Sequence, residues 1–173
     1  MDFSGFSLEA DKWLLVLFFL GYIVQGAAEE VLCRGFILRY LKESGSAVVA
    51  ILVNSALFSV IHITNSGVSA LALVNLFLFG VMTSLYCLWR GNLWGVCAFH
   101  TVWNFTQGNV FGISVSGNEK AVSIFATELS ESGSLLHGAA FGLEGGLCVT
   151  VVMLLAVGIL LFVGRRNHFA IYK

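Results

Sequence analysis

The sequence predicts an all-α fold, a polytopic transmembrane helical bundle of about five spanning helices with a long Gly/Ser-rich connection before the last. Three observations carry this. Apolar residues make up 58% of the 173 and charged residues 11%, with a mean hydropathy of +0.89, outside the balance of a soluble domain. Residues 44–89, 91–118 and 145–164 contain no Asp, Glu, Lys or Arg, and a soluble core needs no uncharged runs of that length. Ionisable groups nevertheless recur inside the apolar stretches, where their cost marks them as functional by default.

The first span is drawn from about Trp13 to Ala28 and continues helically through Glu29 and Glu30 to Leu41. The second covers about Ala47 to Ile63, the third Val68 to Trp89, the fourth Leu93 to Val110 and the last Leu147 to Val163. A span needs roughly 20 residues at 1.5 Å rise, so the second and last are short. Phe111 to Gly146 forms the connection, and its Glu119, Glu128, Glu131 and Glu144 suit a solvated or partly re-entrant segment. Proline is absent, so any helix break falls to glycine or serine. Gly21, Ala27, Gly80, Ala98, Gly146 and Gly158 are small enough to let helices approach closely. With no internal repeat and no second domain, residues 1–173 are read as one integral-membrane domain.

Charge orients the bundle. Arg39, Lys42, Arg90, Arg165, Arg166 and Lys173 fall on one side of alternating spans, Lys12 and Lys120 on the other. The positive-inside rule then makes the C-terminus cytoplasmic and the long connection external. Asp2, Glu9 and Asp11 precede the first span, against the basic start of a cleaved signal peptide. A net charge of −1 offers no field for nucleic acid. Cys33, Cys87, Cys97 and Cys148 show neither CxxC spacing nor a disulfide framework. Cys33, beside the acidic pair, reads as a small buried hydrophobe before it reads as a nucleophile.

Three spans each contribute a polar cluster. Glu30 and Arg34 stand i,i+4 on one helix face and lower each other's cost in lipid. Glu29 then points about 100° away without an in-helix partner, free to act as a general base; both acids bracing the arginine is the bland alternative. His100 and Asn104, also i,i+4, bring an imidazole and a carboxamide to one point, as a developing oxyanion requires; an interhelical hydrogen-bond pair is the bland reading. His62 follows Phe58 by one turn, near the outer end of its span, whereas Glu29 and His100 lie about 15 Å from the cytoplasmic ends of theirs. The conjunction of two carboxylates, an arginine, two histidines and an asparagine supplies the parts for activating water and holding a tetrahedral intermediate.

Glu29-Glu30-Val-Leu-Cys-Arg34 resembles the EExxxR motif of the CPBP family, the type II CAAX prenyl endopeptidases and their bacterial relatives. Phe58-Ser-Val-Ile-His62 is similar to its FxxxH motif, and His100-Thr-Val-Trp-Asn104 to its HxxxN motif, in the same order. The stretches from Trp103 to Gly117 and from Phe141 to Gly146 resemble the bacterial branch. The resemblance implies an endopeptidase in a bacterial cell membrane acting on a membrane-associated peptide or protein. It implies Glu29 as activator of water with help from His62, and His100 with Asn104 at the oxyanion. Glu30 and Arg34 would order the site, with Phe58 packed beside it. No cofactor is expected, although Glu29, His62 and His100 are a conceivable zinc set. The resemblance also implies further spans before the first motif, whereas this chain starts one helix upstream of it. A non-catalytic immunity or scaffold protein is the competing class; a proton-coupled carrier lacks the inverted repeats it would need. Oligomeric state is not legible.

Overall fold

The computed structural model describes residues 2–6, 11–119, 122–129 and 134–166. Lys120, Glu131 and Lys173, on which parts of the charge reading rest, lie outside the described residues. Strand β1 (Asp2–Phe6) opens the chain, followed by α1 (Lys12–Glu30), α2 (Leu38–Glu43), α3 (Ala47–Val60), α4 (Ala70–Arg90) and α5 (Trp94–Phe105). Strand β2 (Phe125–Glu128), a short α6 (Ser134–His137) and α7 (Leu147–Arg166) complete it. β1 and β2 form an antiparallel ribbon, with Phe3 opposite Thr127 and Phe6 opposite Phe125. The rest is a helical membrane bundle, as the composition predicts.

Helix ends follow from local chemistry. The Asp11 carboxylate accepts the amides of Trp13 and Leu14, which starts α1. Ser69 does the same for Ala72 at the start of α4, and Gly91, at a φ of 69°, ends that helix in the left-handed conformation. α1 does not stay α-helical through the acidic cluster. The helix widens into π-turns over Val31–Ile37 before α2 resumes, and α5 widens likewise over Thr106–Val110. Such turns concentrate at functional sites. They account for helix irregularity in a chain without proline.

Three helical stretches are long and apolar enough to cross a membrane: Lys12–Glu43, Ala70–Arg90 and Leu147–Arg166. The second and fourth sequence-drawn spans are shorter. α3 has 14 residues, and α5 has 12 with its π-extension adding 5. The packing is inverted relative to a soluble domain. Val16, Leu17 and Val24 of α1 and Val151, Leu155 and Ile159 of α7 are exposed, while Glu30, Arg34, Asn54, Asn75, Ser84, His100 and Asn104 are buried. Lipid solvates the first set; the second must find partners inside.

α4 is the central helix, packed against α3 and α7, while α1 packs against α5. Gly80 makes the α3–α4 contact possible, since a Cβ there would stand 2.8 Å from Cα of Ser55. Beside it Asn54 donates to Ser84 Oγ at 2.9 Å. Gly80→Ala is accordingly expected to destabilise the bundle by about 1–3 kcal/mol, because the clash is with backbone; thermal melts in detergent measure it, and an unshifted midpoint would show that the helices can part freely. Gly21 and Gly158 do not serve the contacts expected of them, for nothing lies within 4 Å of either, and both face outward. Gly26 does instead, since a Cβ there would stand 3.2 Å from Thr101 Oγ1 and 3.5 Å from His100 Cβ.

Candidate active site

The buried charges converge on His100. Its Nδ1 stands 3.0 Å from Glu30 Oε1, and the same oxygen accepts from Arg34 Nη1 at 3.2 Å. On the other side of the ring, Nε2 lies 3.8 Å from Glu29 Oε2. The imidazole thus sits between the two carboxylates of the acidic pair. A carboxylate only accepts, so the contact with Glu30 assigns the Nδ1 proton and turns Nε2 toward Glu29. Glu30 and Arg34 are fully buried behind the ring. Arg34 also lies over the ring of Phe58, 4.5 Å from its centroid. Phe58 in turn meets His62 at 5.0 Å and Phe79 at 5.5 Å between centroids.

Glu29, His62, His100 and Asn104 line one cavity of about 310 Å³, with Phe58 in its wall. Glu30 and Arg34 are not part of that wall. His62 reaches the cavity despite its place near the end of the second segment. α3 spans only about 21 Å at 1.5 Å per residue, short of the ~30 Å hydrocarbon core, so its end remains at the level of the site. There His62 Nδ1 donates to the Phe58 carbonyl at 2.8 Å, which leaves Nε2 as the acceptor in the neutral ring.

Glu29 is not without an in-helix partner. Gln25, one turn earlier, donates Nε2 to Glu29 Oε1 at 2.7 Å and accepts from Asn104 Nδ2 at 3.2 Å. The i,i+4 rule used for Glu30 and Arg34 applies equally to Gln25 and Glu29 and could have found this pair. One oxygen of Glu29 is thereby held, and Oε2 is left without a hydrogen-bond partner. Asn104 spends one amide hydrogen on Gln25; its carboxamide carries a second.

The connection contributes more than expected. Glu144 is 7% exposed and lines the same cavity, so it is no solvated loop acid. Its Oε1 accepts from Trp103 Nε1 at 3.0 Å, and its Oε2 from the amide and hydroxyl of Ser116 at 2.6 and 2.8 Å. Burial pushes its carboxyl above the usual range, and the bonds from Ser116 and Trp103 partly oppose that rise. Cys33 lies in the apolar cluster with Phe58, Phe79 and Met153, behind the cavity wall, and does not itself line the cavity.

Among the described residues no three His, Cys, Asp or Glu side chains stand together as metal ligands. The conceivable set of Glu29, His62 and His100 is not such a group.

A polar cavity of carboxylate and imidazole groups enclosed by a helical membrane bundle marks a functional site by default. The sequence model of the Type II CAAX prenyl endopeptidase Rce1-like family matches residues 11–106, which include every motif residue named above. The chain belongs to this family, a family of membrane proteases with peptide substrates. It is an integral membrane protein. Neither a curated protein nor a solved structure matches it.

Proposed function

We propose that the protein is an endopeptidase that hydrolyses a peptide bond of a membrane-associated peptide or protein with water activated by Glu29. The observation that carries this is the lining of one cavity by Glu29, His62, His100 and Asn104. Glu29, held through Oε1 by Gln25, presents Oε2 to a water and takes its proton as the water attacks the scissile carbonyl. His62, whose Nε2 is the acceptor in the neutral ring, orients the same water. Asn104 supplies an amide hydrogen to the developing oxyanion, and His100 supplies its Nε2 face to that charge once protonated. Glu30 and Arg34 hold the His100 ring, much as a buried carboxylate orients a catalytic histidine elsewhere. The proton on Glu29 then passes to the leaving amine.

The residues act as one domain, and the positive-inside rule supports a cytoplasmic C-terminus. The cavity, walled partly by Ser116 and Glu144 of the connection, then lies toward the outer side of the membrane. Cleavage of a lipid-anchored, quenched-fluorescent peptide library by the full chain in phospholipid vesicles tests the reading. Wild type is expected to cleave and Glu29→Gln to fail; equal turnover by both would remove Glu29 as the base, and cleavage by neither would favour a scaffold in which the acids only brace the bundle. Preincubation with o-phenanthroline is expected to leave turnover unchanged, and loss restored by added zinc would replace the direct water attack with a metal-assisted one.

A further inference from the structure

Glu144 lies outside the residues matched by the family, yet four elements meet at it. Its carboxylate takes Trp103 of α5 and both donors of Ser116, as above. Its own carbonyl accepts from Asn75 Nδ2 of α4 at 2.7 Å, and the same amide nitrogen reaches the Gly146 carbonyl at 2.9 Å. Thr150 of α7 donates to Asn75 Oδ1 at 2.7 Å, which completes the hub. Ser116, gripped at both amide and hydroxyl, holds a φ of 47°. A non-glycine residue keeps that conformation only where its surroundings over-determine it.

Bracing alone does not call for a buried acid. A neutral side chain would link two elements without the desolvation a carboxylate incurs. A carboxylate differs in being acceptor-only at both oxygens, so it can fix three donors at once. Two of those donors belong to the connection, and the third is Trp103, the residue immediately before Asn104 and three after His100 on α5.

We propose that Glu144 is a positioning residue for the Glu29 site. It sets the rotation and depth of α5 through Trp103, and so places His100 and Asn104 opposite Glu29, while holding Ser116 as cavity wall. The inference rests on the peptidase reading above. It assigns the connection a part in catalysis that residues 11–106 do not contain.

The test uses the full chain in phosphatidylcholine–phosphatidylglycerol vesicles, with the library peptide that wild type cleaves fastest. Glu144→Gln keeps the shape but sets an NH2 group against one of the donors; Trp103→Phe keeps the ring but removes the indole donor. Each is expected to lower kcat by about tenfold to a hundredfold, the cost of misplacing reacting groups by a fraction of an ångström to an ångström. KM should move far less than kcat, within about twofold, since the cavity keeps its other lining side chains and the loss falls on groups that act on the transition state. The double variant should lose little beyond the worse single variant, because both break one linkage. The folded fraction at the assay temperature should match wild type throughout. Wild-type kcat in both single variants, additive losses, or a change in KM alone would overturn the inference. Glu29→Gln, run alongside, separates the two levels. Activity in Glu29→Gln removes the base and this inference with it, whereas an inactive Glu29→Gln beside fully active Glu144→Gln and Trp103→Phe overturns the inference alone.

Discussion

Glu29→Gln is expected to lower kcat by about 10²–10⁴-fold, the contribution of a positioned general base, with KM nearly unchanged. Gln is isosteric, and its amide oxygen still accepts from Gln25, so the Gln25–Asn104 chain survives. What is lost is the ability of Oε2 to take a proton. That atom has no hydrogen-bond partner of its own, lies 3.8 Å from His100 Nε2 and belongs to a side chain in the cavity wall. An interaction made only as the proton moves changes kcat and kcat/KM together, whereas a binding contact would raise KM. Steady-state cleavage of the lipid-anchored peptide decides between them. Retained kcat, with the variant folded by circular dichroism, would remove Glu29 from the role of base.

Much of this site was legible because helical spacing is a local property. Glu30 and Arg34 pair at i,i+4, and the structure adds only that His100 shares the same carboxylate oxygen. By charge alone Glu29 has no in-helix partner, since Gln25 carries none, although the Gln25–Glu29 spacing obeys the same rule. His62, near the outer end of a span already short in the sequence, reaches the site because α3 ends at Val60, beside the cavity. The actual 14-residue α3 is held by polar contacts such as Asn54–Ser84 as well as by apolar ones, and needs less length. Glu144 was out of reach for a different reason. It lies in a segment with no periodicity to read, its partners Ser116 and Trp103 are 28 and 41 residues away in sequence, and only tertiary packing brings them together. The same holds for the π-turns after Glu30 and Phe105, which no residue type announces.

Arg34→Met is expected to cost about 3–5 kcal/mol of stability, the penalty for stranding one member of a buried ion pair. Glu30 and Arg34 are both fully buried, and Glu30 Oε2 has no partner, so the carboxylate depends on Oε1 and its bonds to Arg34 and His100. Met fills much of the volume against Phe58 but returns neither charge nor donor. Glu30→Gln in the same background should recover part of the loss, because the stranded charge then disappears; this non-additivity separates an electrostatic cost from a packing one. The double variant should nevertheless stay catalytically impaired, since His100 keeps only a neutral acceptor at Nδ1 and its protonated form loses the Glu30 carboxylate. Thermal or denaturant unfolding in one detergent, measured on both singles and the double, reads the cycle. An Arg34→Met variant that melts with wild type would mean that Glu30 is kept in the interior by His100 alone, and that the arginine serves only to cover Phe58.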